Sequence, residues 1–205
     1  MIPSGAGSLN MKEFKPYQQG SVDYFCGVYS VLNAFRWAAR DFKLLSYTQG
    51  CLFYQNLISF LLKKEMFTRV LERGTPDDLL IDILREADRY SRKKFKLALN
   101  FECPYVDTEK SVPEALSEIG SFLEREHTAW IISLYNRTLG SHYTVGTKVV
   151  GRRVYLFDSC GGSVCHTDHA LWGPKIKKGD SAPCPPQGKM YLFKPGQVLI
   201  TVSWI

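Results

Sequence analysis

Residues 26–40 read CGVYSVLNAFRWAAR. Val28, Val31, Leu32, Phe35 and Ala39 recur at the i, i+3, i+4 spacing of one buried helical face, which predicts an amphipathic helix opening at Cys26. The first turn of a helix carries N–H groups without intrahelical partners and the positive end of the dipole, and both favour an anion. A thiol placed there is expected to ionise more readily than a free cysteine, whose pKa of about 8.5 leaves it mostly protonated near neutrality. Gly27 is expected to let a substrate backbone come close. Taken alone, Cys26 reads equally well as a small buried core residue, so its meaning depends on what else the chain offers.

Downstream, His142 heads the alternating segment HYTVGTKVV, and the segment RVYLF runs into Asp158. Two alternating runs around Gly151-Arg152 predict a hairpin with His142 and Asp158 near one end of adjacent strands. A carboxylate there can accept from one imidazole nitrogen and hold the other toward a thiol. The plain alternatives are a polar residue at a strand end and a turn-forming aspartate before Ser159. Upstream, Gln18 and Gln19 lie in the loop before the helix. Either can donate an amide hydrogen to the oxyanion that builds when a thiolate attacks a carbonyl, and either reads as a solvated loop residue.

The stretches QQGSVDYFCGVYSVLNAF, SHYTV and YLFDS together resemble the papain-like cysteine peptidases, most closely the bacteriocin-processing double-glycine peptidases. FCGVYSVLNA also resembles phytochelatin synthase, a transpeptidase of the same fold. The resemblance touches about a quarter of the chain and implies an α+β fold, with a helical N-terminal lobe, an antiparallel β C-terminal lobe and a cleft between them. It implies Cys26 as nucleophile, His142 as base and acid, Asp158 as orienting carboxylate, and Gln19 or Gln18 in the oxyanion hole. Gln19 stands seven residues before Cys26, one more than is usual in these families. The activity implied is thiol-dependent hydrolysis of a peptide or isopeptide bond, with no cofactor or metal. The same parts would serve glutamine deamidation or transpeptidation, and a catalytically idle peptide-binding module has the same outline.

Length and composition fit such an enzyme. The 205 residues, 45% hydrophobic and 22% charged, read as one domain (residues 1–205), with a helical part to about residue 127 and a β part from about residue 128. The first residues show no basic-then-apolar leader, and no apolar run is long enough to span a membrane. A cytoplasmic location is the expectation, with export by a route lacking a cleaved leader still open. Six scattered cysteines in such a chain are expected to be reduced. The formal charge of +6 comes from separate clusters at Lys63-Lys64, Arg92 to Lys94, Arg152-Arg153 and Lys175 to Lys178. They form no stripe, so nucleic acid is not the expected partner; a peptide or protein substrate is, and the charge itself reads as suiting an acidic protein substrate or an anionic surface.

Helical spacing predicts further helices from about Gln55 to Glu72, from Thr75-Pro76-Asp77 to about Arg92, and from the capping box Ser111-Val-Pro-Glu114 to near His127. AWIISLY, HYTVGTKVV, RVYLF, KMYLF and QVLITVSW read as strands of an antiparallel sheet. Cys160, Cys165, His166, His169 and Cys184 have the chemistry of zinc ligands without a recognised spacing, and a Gly/Pro-rich loop over the cleft is the preferred reading. Tyr24, Phe25, Tyr143 and Trp172 are candidates either for the cleft wall or for the core.

Overall fold

A computed structural model of the chain describes residues 14–20, 23–137, 140–174 and 184–205. The leader region and the basic run Lys175 to Lys178 lie outside them.

The predicted helix forms as α1, Cys26–Ala38. It is followed by α2 (Tyr47–Lys63), α3 (Phe67–Arg73), α4 (Asp77–Phe95), β1 (Leu97–Glu102) and α5 (Val112–Leu123). The rest is strand: β2 (Thr128–Asn136), β3 (Gly140–Val150), β4 (Arg153–Leu156), β5 (Val164–His166), β6 (Ala170–Trp172), β7 (Met190–Leu192) and β8 (Val198–Trp204). This is an α+β chain with an open sheet ordered β1-β8-β2-β3-β4-β5. β7 and β8 lie in succession along one edge of β2, linked through a single 3-10 turn, Lys194–Gly196. Among the described residues the pairings are antiparallel except β6 with β7, which departs from the antiparallel expectation.

Four further expectations are corrected. The helix expected over Gln55–Glu72 is two helices: it starts earlier, behind a capping box made by Ser46 and Gln49, and breaks where Glu65 adopts a left-handed φ of 58°. Thr75 does not cap α4. Pro76 occupies that position with no side-chain bond, and the acids Asp77 and Asp78 face the helix dipole instead. The capping box of Ser111 and Glu114 forms as expected, but α5 stops at Leu123. The helical part also contains β1, which pairs with β8 from Leu97 opposite Trp204 to Glu102 opposite Leu199, so the two parts share one sheet.

Successive residues of β2 are buried on opposite faces of the sheet, which divides the core in two. Ala129 and Ile131 face α1, α2 and α4, whereas Trp130, Ile132 and Leu134 face α5 on the opposite side. α1 therefore packs on β2, β3 and β8 with its N-terminus near the start of β3. Among the described residues no helix is long and apolar enough to cross a membrane.

Candidate active site

Cys26 is the first residue of α1 and is 9% exposed. Phe25 precedes it as a cap with no side-chain bond, and its own N–H donates to Asp23 Oδ1 at 3.0 Å. The first turn holds no acid. Gly27 does not open the site to a substrate backbone as expected: it is buried, and a Cβ on it would lie 2.6 Å from Thr75 Cβ.

His142 sits in β3 opposite Leu134 of β2, buried at the strand's beginning. Its Nε2 is 2.8 Å from Asp158 Oδ1, and the thiols of Cys26 and Cys160 both lie close to the ring. Burial disfavours the imidazolium, but hydrogen bonding to Asp158 and to Cys26, with their charges, outweighs burial and pushes the imidazole up to about 9. A bulge between Gly146 and Lys148 shifts the β3–β4 register, and Phe157 N–H then donates to Val145 O at 2.8 Å, leaving Asp158 just past the hairpin's paired part. Asp158 Oδ2 accepts the backbone N–H groups of Cys160 at 3.2 Å and Gly162 at 3.1 Å. Burial raises the Asp158 carboxyl, and the bonds from His142 and Gly162 overcome this, holding it below the ordinary carboxylate range. The aspartate thus shapes its own turn with one oxygen and meets the histidine with the other.

The two glutamines separate. Gln19 lies against the Asp158 turn: its N–H donates to Ser159 O at 3.1 Å, and Oε1 accepts from Ser159 Oγ at 3.4 Å. Its Nε2 donates to Asp23 O at 2.7 Å, leaving one amide hydrogen. Gln18 is exposed, bonds Pro16 O, and faces a different cavity between α1 and α2.

What fixes Gln19 is a set of residues the sequence reading passed over. Residues 14–20 run as a strap across α1, where Asn33 accepts from Tyr17 N–H at 2.8 Å and donates to Tyr17 O at 3.0 Å. Arg36, one turn on, donates to Tyr17 Oη at 2.7 Å and lies over the rings of Phe14 and Tyr17. The available signal was an asparagine within the apolar face of a helix; Asn33 is fully buried.

No family model, curated protein or solved structure matches this chain.

The cysteines and histidines with zinc-ligand chemistry do not gather as a set. Cys165 turns to Met190 Sδ at 3.5 Å, and His169 Nδ1 lies 3.2 Å from Lys189 Nζ. Among the described residues, the potential ligand atoms that converge, within 4.8 Å of one another, belong to His142, Asp158 and Cys160. All six cysteines are free thiols. Of the four aromatic candidates, Tyr24 is exposed beside Cys26, while Phe25 and Tyr143 are core and Trp172 packs on Tyr105. Tyr143 donates to Asp77 Oδ1, tying the strand of His142 to the start of α4.

Proposed function

We propose that this chain is a cysteine peptidase of papain-like design. The observation that supports it is His142, buried with Asp158 on Nε2 at 2.8 Å and with the Cys26 thiol close to its ring. Such a histidine stores a proton next to a thiolate and delivers it to a leaving group.

In this reading the Cys26 thiolate adds to the carbonyl carbon of the substrate, and the oxyanion is met by the Cys26 N–H and the remaining amide hydrogen of Gln19. The imidazolium of His142 gives its proton to the departing nitrogen as the C–N bond breaks, leaving a thioester. Water then attacks, yielding one proton to His142; the C–S bond breaks, and thiolate and imidazolium are restored. Asp158 keeps the ring oriented and its positive charge compensated throughout.

The test is the rate of iodoacetamide alkylation at each cysteine against pH, read by peptide mass spectrometry. Near neutrality Cys26 is expected to react about ten-fold or more faster than the other thiols, and His142→Ala to abolish that lead. An inert Cys26, or one indifferent to His142, would overturn the reading and leave a peptide-binding cleft.

A further inference from the structure

Beside the His142–Asp158 pair lies a cleft of about 500 Å³ that the chemistry just described does not use. Its floor includes Leu134, Leu156 and Met190 from the sheet, and its lining includes the cations Arg137 and Lys189. Among the described residues of that lining Asp158 is the one carboxylate, and it is already paired with His142. Neither Arg137 nor Lys189 forms an ion pair among the described residues: Arg137 Nε donates to Pro185 O at 3.0 Å, and Lys189 Nζ meets only the His169 ring. His166 also lines the cleft.

The position of the cleft decides what it would hold. It is lined by His142 but not by Cys26. In acyl transfer the acyl half of the substrate stays on the sulfur, and the half that receives the proton departs from the histidine side. An apolar floor with positive charges at its rim matches a chain of a few atoms ending in an anion.

We infer that this cleft binds the leaving-group half of the substrate, and that this half carries a carboxylate close to the scissile bond. The carboxylate belongs either to an acidic side chain directly after that bond or to the α-carboxylate of a short terminal fragment. This rests on the peptidase reading for the direction of the reaction, and on the charge of the cleft for the chemistry of the ligand.

Product mimics test it without turnover. Glu-Ala-NH2, Ala-Ala-OH and the neutral Gln-Ala-NH2 are titrated into the full chain and followed by NMR. At least one acidic peptide is expected to bind about ten-fold more tightly than the neutral one, as a charge-assisted hydrogen bond allows; which of the two does so names the source of the carboxylate. Arg137→Ala combined with Lys189→Ala should erase the difference, and Lys189→Glu alone should lessen or invert it. Equal affinities, no binding of any peptide at millimolar concentration, or a preference that survives these substitutions would overturn the inference. Alkylation of Cys26 fails or succeeds independently, so a thiol enzyme without an anion-binding leaving-group cleft and an anion-binding cleft without a thiol enzyme give different pairs of results.

Discussion

His142 holds its proton more tightly in the folded chain than in the unfolded one, because its value rises from 6.5 to about 9. A base raised in this way stabilises the fold fully below its unfolded value and ceases to do so as pH climbs through the folded one. Asp158 works in the opposite sense: lowered from 3.8, it contributes above that value and loses its contribution as pH falls below it. Their joint contribution is therefore greatest between about pH 4 and pH 6.5. The difference in melting temperature between the wild type and His142→Gln should peak in that window and narrow by about pH 9; a difference that is flat across the range would refute it. Asp158→Asn keeps the shape of the carboxylate but removes its charge. We expect it to slow alkylation of Cys26 near neutrality by about ten-fold or more while the thermal midpoint moves little by comparison. Collapse of the fold instead would make Asp158 chiefly the organiser of its turn.

At the scale of elements, what could be read from sequence was what local chemistry dictates. The apolar stripe of α1, the capping box of Ser111 and Glu114, and the strand-forming runs of β2, β3 and β8 all appear where the sequence puts them. The misses share another cause. The break after Lys64 has no glycine or proline to announce it, since Glu65 itself takes the left-handed turn. β1 alternates too briefly to stand out after the charged end of α4, and it becomes a strand through β8, about a hundred residues away in sequence. β5 and β6 are three residues each, below any periodicity. Gly27 illustrates the limit in a single element: its smallness was legible, but not that Thr75 would be what stood against it. Gly27→Ala is expected to lower stability by about 1–3 kcal/mol, measured from the denaturant midpoint, because neither the helix backbone nor the β-branched Thr75 has room to yield. Restored stability on adding Thr75→Gly would identify the contact as the cause, and an unchanged midpoint for Gly27→Ala would dismiss it.

For the molecule as a whole, the candidate site is assembled from distant parts of the chain: Cys26 from a helix, His142 from a strand, Asp158 from a turn, and Gln19 from a strap. The sequence supplied these residues, and motif order pointed to the first three. It did not show that Gln18 and Gln19 would part, because their places depend on Asn33 and Ser159 gripping the strap from two sides. Asn33→Ala removes two bonds to the Tyr17 backbone in a fully buried place. It should cost about 2–4 kcal/mol and make residues 14–20 accessible to limited proteolysis before the remainder unfolds; proteolysis no faster than in the wild type would show the strap to be held by Arg36 and the ring contacts instead. The sheet has a consequence of another kind. β8 lies between β1 and β2, so during synthesis the backbone of Leu97, Leu99 and Phe101, though already beside α4, must wait for residues 198–204 to emerge before it has a strand to pair with. A nascent chain held just short of that point should therefore keep an unpaired, apolar strand edge and depend on chaperones in a way the released protein does not.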